Sequence, residues 1–475
     1  MHAPRGVLLG RDTTRYPSLV GLAMRAPERR QTHRNLGDTT LVATLTAQGQ
    51  TVPSRAGKVG HSTVADIRRP MLPIEVLHWL RSMLDRPLTS YHLVLGSVAL
   101  LIIVGLMMVL SASSVNAYLT FDDSYFYVKR QLIFLGVGVI GAFTIMKLPP
   151  STLRLLSWFG VALAAILLIL TYTPLGISVN GNRNWLYLGS SLFSIQPAEF
   201  AKLAMIVWGA DLLARKYRLL DQPKHLLVPF LPVSVVLILL VLFQGDAGTA
   251  VVIAVIAAGM LWVVGAPLRV LLALGSAGLA GVIAIFVTSP VRMRRLAAFL
   301  DPALDLNGAN DQANAGMFAI ASGGWWGVGL GASRQKWGSL PEAHTDFIFA
   351  VLGEEFGLFG SLVILAMIGV LGYAGVRIAM HADDLFVRYA AGGITAWFMV
   401  QAVINLAVVL RLLPIAGVPL PLVSYGGSAL IANLLAIGVL LACARREPEA
   451  RKLLARKAMR QSPRMTTVVG SRRRA

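Results

Sequence analysis

A chain of 475 residues that is 56% hydrophobic and only 14% charged, with mean hydropathy +0.67, falls outside soluble globular domains of this size and reads as an integral membrane protein. A single cysteine, Cys443, excludes an intrachain disulfide and a cysteine-based metal site. The net charge of +20 does not mark a nucleic-acid binder, because residues 1–88 and 445–475 supply +7 and +9 of it as basic flanks to an apolar middle.

Residues 1–70 lack the apolar run of a signal peptide or a span, and their Arg, Thr, Gly and Pro content predicts disorder. Met71 and Met83 are alternative starts. Pro73 suits a first helical turn, and Ile74, Leu77, Leu80 and Leu84 then share a face, so 73–84 is expected to lie as a helix on the inner leaflet. Ten apolar stretches follow, each near the twenty residues that cross about 30 Å of hydrocarbon. They fall at 91–112, 131–146, 155–173, 198–214, 226–244, 247–265, 269–288, 346–376, 387–410 and 425–444. The expected fold is all-α: a polytopic transmembrane domain over 89–445 with ten spans, between basic tails at 1–88 and 446–475. Basic flanks place both termini in the cytoplasm, which an even number of spans permits. The connections 113–130, 174–197, 289–345 and 411–424 are then extracytoplasmic. The third is a long loop before the eighth span, and such loops usually carry function.

Polar residues gather in four places. Asn180-Gly181-Asn182-Arg183-Asn184-Trp185 leads to Glu199 and Lys202, which lie three apart on the fourth span and either neutralise each other or bind a ligand. Asp246 is expected to cap the sixth span. The long loop carries Arg292, Arg294, Arg295, Gln312, Arg334 and Lys336, an array that suits an anionic ligand, since guanidinium forks match phosphate oxygens. Its run Gly323-Gly324-Trp325-Trp326-Gly327-Val328-Gly329 follows no strand and reads as close packing, not as a dinucleotide fingerprint. Finally, Glu342, His344 and Asp346 alternate at the mouth of the eighth span. Either Thr345 or Asp346 caps the eighth span, or a carboxylate here, beside the basic loop, is a base acting on a phosphate-activated substrate.

These residues carry a resemblance. Arg183-Asn184-Trp185, the run from Ile195 to Lys202, the run from Leu340 to Phe349, Gly353-Glu354-Glu355 and the run from Pro419 to Ser428 resemble the SEDS family of shape, elongation, division and sporulation proteins, over about 90–445. Ala343 and Gly353-Glu354-Glu355 favour the division branch over the elongation branch. The resemblance implies a ten-span peptidoglycan glycosyltransferase that polymerises lipid II at the outer face of the cytoplasmic membrane. Its expected partners are a class B penicillin-binding protein such as FtsI and other divisome proteins. Asp346 takes the place of the family's essential acid, with Arg183, Glu199, Lys202, Arg294, Arg295, Gln312, Lys336, Glu342 and His344 as substrate-binding candidates. Arg294, Arg295 and Lys336 would meet the leaving pyrophosphate, with a divalent cation (Mg2+ or Mn2+) as a candidate helper. Three positions depart from the family pattern: Gly245 replaces a proline, Asp311 an aromatic, and Arg411 a small residue, where it would add a phosphate contact. The rival reading is a lipid II flippase or proton-coupled carrier. A carrier places polar groups near the midplane on broken helices, whereas here they collect toward one face.

Overall fold

Long apolar runs form helices because hydrocarbon leaves a backbone no other partner for its N–H and C=O groups. In this computed structural model, residues 86–461 are described, apart from 180, 188, 190–193, 221, 289–292, 294–296, 298, 301–310 and 338–339. The expected interfacial helix at 73–84 lies outside them. The helices are α1 (Thr89–Phe121), α2 (Phe126–Lys147), α3 (Pro150–Leu170), α4 (Pro197–Arg215), α5 (Pro223–Leu227), α6 (Phe230–Phe243), α7 (Ala247–Val264), α8 (Leu268–Thr288), α9 (Asp311–Gly323), α10 (Ile348–His381), α11 (Leu385–Val409), α12 (Gly427–Ala444) and α13 (Pro448–Gln461).

Each of the ten predicted stretches coincides with a helix. Among the described residues, eight segments are long and apolar enough to cross a membrane: α1, α2, α3, α5 with α6, α7, α10, α11 and α12. Two of the ten predicted spans are not among them: α4, because Glu199, Lys202, Asp211 and Arg215 crowd its 19 residues, and α8, which counts only as a shorter apolar helix over Leu268–Ala284. Local chemistry sets the helix ends. Proline opens α3, α4 and α13, where its missing N–H is no loss. Asp384 caps α11 by accepting the Phe386 N–H. Helix α11 packs against α4, α7 and α10, and α12 against α2, so these two form the buried centre of the bundle.

Three features differ from expectation. Helix α1 continues to Phe121, through residues expected to be a connection, because no breaker occurs before Asp122 in the left-handed region. The connection 174–197 holds a small antiparallel sheet, β1 (Gly176–Val179), β2 (Asn182–Tyr187) and β3 (Ser194–Ile195), in the order β1-β2-β3. Ile177 pairs with Trp185 and Leu186 with Ile195. The Asn180-Gly181 dipeptide, with Gly181 at φ 82, is a hairpin signal that the sequence did contain.

The third is a break in α10. Gly357 sits at φ 66, ψ −163, and there the helical ladder is exchanged for bonds to the glycine-rich loop. The Leu358 and Phe359 N–H groups donate to the Gly324 and Trp325 carbonyls, while the Glu354 and Glu355 carbonyls accept from Val328 and Gly329. A Cβ on Gly357 would strike the Gly327 nitrogen and the Trp325 carbonyl. Close packing, as expected, is thus the use of the glycine run. Gly357→Ala is predicted to destabilise the protein by about 2 kcal/mol or more, read as a lower midpoint of thermal unfolding in detergent.

Candidate active site

The segment before α10 is shaped by Glu342, which adopts φ 54. Its carbonyl accepts the Thr345 and Phe347 N–H groups, and its Oε2 accepts the Thr345 hydroxyl at 2.7 Å. The N-cap position of α10 is Phe347, which makes no side-chain cap. The helix-cap reading of Thr345 and Asp346 is therefore corrected: Thr345 turns back to Glu342, and the Asp346 carboxylate accepts no hydrogen bond from a described residue.

Asp346 is partly exposed and packs beside Gly417, where an added Cβ would lie 3.6 Å from Oδ2. Its carboxyl is pushed up to about 7, first by burial, then by the Glu342 and Asp246 carboxylates. An acid poised near neutrality can hold or release a proton at little cost. His344 is buried, with its ring 4.6 Å from Tyr127 and 5.5 Å from Tyr425, and burial lowers its basicity against the pull of Glu342. The Tyr425 N–H donates to the His344 carbonyl at 3.0 Å, and Arg130 of α2 hydrogen-bonds the Tyr425 side chain.

Asp246 caps α7 as expected, Oδ1 accepting the Thr249 N–H at 2.9 Å, while Oδ2 accepts from Asn184 and Gln196. Gly245 has φ 93, which proline cannot adopt, and the Asp246 cap beside it is intact. Arg411 likewise sits at φ 56, a conformation that favours glycine, and its Nη1 donates to Asn314 Oδ1 at 2.9 Å.

Glu199 and Lys202 form an ion pair at 2.8 Å, each side chain only 1% exposed. The Lys202 ammonium also donates to Gln401 Oε1 at 2.8 Å, and Gln401 Nε2 reaches the Pro419 carbonyl at 2.9 Å. One turn along α11, Asn405 Nδ2 donates to the carbonyls of both Asp346 (2.7 Å) and Val418 (2.8 Å). The buried pair thus anchors one face of α11, and that face holds Asp346 beside the 417–420 segment. Asn405→Ala is predicted to lower turnover roughly 10- to 100-fold, since small misplacements of a reacting group have effects of that size, with substrate KM nearly unchanged.

The remaining candidates are placed as follows. Gln312, at the start of α9, donates to the Pro341 carbonyl and ties that helix to the Asp346 segment. Arg183 donates to the Thr173 carbonyl and holds the hairpin to the end of α3. Lys336 is buried, donating to the Gly331 carbonyl and lying 3.6 Å from Glu355, whose carboxylate accepts from Ser111. Arg294 and Arg295 lie outside the described residues. Reading the sequence missed Gln401 and Asn405, whose signal was a polar pair four apart in an apolar span, and it missed Tyr127, Arg130 and Tyr425. A cavity of about 370 Å³ at the far end of the bundle, lined by Asp383, Asp384, Arg446 and Arg451, holds none of the candidates. Among the described residues no three His, Cys, Asp or Glu side chains gather as metal ligands. A divalent cation would take most of its ligands from substrate phosphates and water, as Mg2+ commonly does.

A multi-span membrane protein with one poised carboxylate held at the end of its bundle is the class that fold and site define. The chain belongs to the FtsW/RodA/SpoVE family of cell cycle proteins, whose profile matches residues 91–449. It is 41% identical over 355 residues to Stage V sporulation protein E of Bacillus subtilis (strain 168), covering 74% of this chain and 96% of that one. It is 39% identical over 368 residues to the "Probable peptidoglycan glycosyltransferase FtsW" of Mycobacterium tuberculosis (strain ATCC 25618 / H37Rv), covering 77% and 70%. Among solved structures it is similar to a chain of a peptidoglycan synthase complex in which polymerization and crosslinking are coordinated (TM-score 0.60, 28% identity, 75% of this chain and 97% of that one). The Rod shape determining protein RodA of Thermus thermophilus matches at TM-score 0.55 and 27% identity, covering 75% and 96%.

Proposed function

We propose that this protein is a peptidoglycan glycosyltransferase that polymerises lipid II at the outer face of the cytoplasmic membrane, with Asp346 as the general base. The observation that carries the reading is the Asp346 carboxylate: uncapped, partly open, raised to about 7 and held by its own carbonyl to Asn405. In the reaction, the 4-hydroxyl of one glycan attacks the anomeric carbon of another. The new C–O bond forms as the bond to the undecaprenyl pyrophosphate oxygen breaks; the hydroxyl proton passes to Asp346, and the electron pair leaves with the pyrophosphate. Direct displacement inverts the anomeric centre, by analogy with inverting glycosidases. Arg294 and Arg295 are the proposed contacts of the leaving phosphates, since Lys336 is paired with Glu355, and His344, whose basicity burial lowers, packs at the mouth against Tyr127 and Tyr425.

The basic tails support a cytoplasmic location for both termini and hence an outer position for Asp346. Relatives named FtsW support septal synthesis, and the synthase complex supports a class B penicillin-binding protein as the working partner. The test combines the purified protein with such a partner and labelled lipid II, and separates the products by size. Glycan chains are the expected result. Transfer of lipid II between leaflets of a vesicle, with no polymer formed, would instead make the protein a flippase.

A further inference from the structure

Helix α10 has 34 residues, a length of about 51 Å at the helical rise, against about 30 Å of hydrocarbon. Its first eight residues, from Ile348 to Glu355, are buried in protein. Exposed apolar side chains begin only past the Gly357 break, at Leu358 and Phe359, and continue through Leu362, Val363 and Val376 to Met380. That band is about 33 Å long, which matches the hydrocarbon and puts one membrane boundary at Leu358 and Phe359. Ser111 Oγ of α1 donates to Glu355 Oε1 at 2.5 Å, so that turn of α1 lies level with the last buried turn of α10 before the break.

The glycine-rich loop is pinned at that level by the four backbone bonds that cross the α10 break. From the segment 325–337 project Trp325, Trp326 and Trp337, which are 65%, 80% and 70% exposed, large apolar rings left mostly uncovered by the described residues. The Trp326 ring stands 4.7 Å from Phe359, the first lipid-facing turn of α10, and Arg334 is exposed on the same loop. An indole has an apolar body and one N–H donor, the combination that favours the boundary between headgroups and acyl chains. A guanidinium on the same segment suits lipid phosphate.

We infer that Trp325, Trp326 and Trp337 are an interfacial anchor that seats this loop among glycerophospholipid headgroups at the Asp346 end of the bundle. The anchor fixes the height of α10 in the bilayer and leaves the buried turns from Ile348 to Glu355, with Asp346 above them, beyond the hydrocarbon. This inference does not depend on the proposed reaction.

The test uses the full chain with Cys443→Ala, which removes the one native thiol, reconstituted in nanodiscs of phosphatidylethanolamine and phosphatidylglycerol. Trp326→Cys and Trp337→Cys are spin-labelled separately, with Val363→Cys as a lipid-facing reference and Asp122→Cys as an aqueous one. Collision rates with oxygen and with a water-soluble nickel chelate are then measured. Labels at 326 and 337 are expected to read between the two references, near the headgroup boundary. Nickel access equal to that at 122 would place the loop in water and overturn the anchor. Shielding from both reagents would show a protein surface over the loop and overturn it equally. Because Trp337 does not share the Phe359 contact, loss of that contact in Trp326→Cys does not decide the outcome.

Discussion

Replacing Asp346 by Asn is expected to reduce glycan polymerisation by roughly 10²- to 10⁴-fold, the usual contribution of a positioned base, while leaving the thermal midpoint equal to that of the parent or above it. The amide keeps the shape and the backbone bond to Asn405 but cannot take a proton. The gain in stability has a stated origin. Burial, with Glu342 and Asp246 nearby, raises the carboxyl from 3.8 to about 7, so the folded state disfavours its ionised form, and stability is lost as pH rises from the unfolded value through the folded one. The Asn variant escapes that loss above pH 7. Activity runs the other way: the base works when deprotonated, so the parent rate should climb through pH 7 and level above it. Glu342→Gln removes the larger of the two neighbouring charges, and the acid limb should move to lower pH. Full polymerisation by Asp346→Asn, or an acid limb indifferent to Glu342, would remove Asp346 from the reaction.

Lys202→Met is expected to destabilise the protein by about 3–5 kcal/mol, the range for stripping one partner from a buried ion pair. The Glu199 carboxylate would be left at 1% exposure with Oε2 already lacking a partner, and Gln401 would lose a donor. The double variant Glu199→Gln with Lys202→Met should recover most of that loss, because no charge then remains buried. Denaturation in detergent, read for the two single variants and the double, gives the coupling directly. Restored stability in the double without restored polymerisation would show that the pair does more than support the fold. Equal losses in single and double variants would show that it is not a coupled unit.

The class of fold was legible because hydrocarbon imposes a strict condition on composition: ten apolar stretches could be read by length alone, and a helix stands at each. The Asp346 segment was legible as a candidate site, since ionisable groups at the mouth of a span need a purpose. The Asp246 cap and the Glu199–Lys202 pair were also readable, because each depends on partners within four residues. The hairpin carried its Asn180-Gly181 signal inside a stretch too short and irregular for the strand period to show.

The features legible in the residues are therefore local and compositional: apolar length, helix ends, a charge at a span's mouth and a family pattern in fixed spacings. Tertiary structure alone decided that Asp346 is not a cap, that Asn405 holds its carbonyl from 59 residues away, and that Lys336 is committed to Glu355. It also decided that a distant glycine-rich loop replaces the helical bonds of α10 at Gly357. The reason is physical. A hydrogen bond or a raised carboxyl depends on which groups share a small volume away from water, and in a bundle those groups come from helices far apart in the chain.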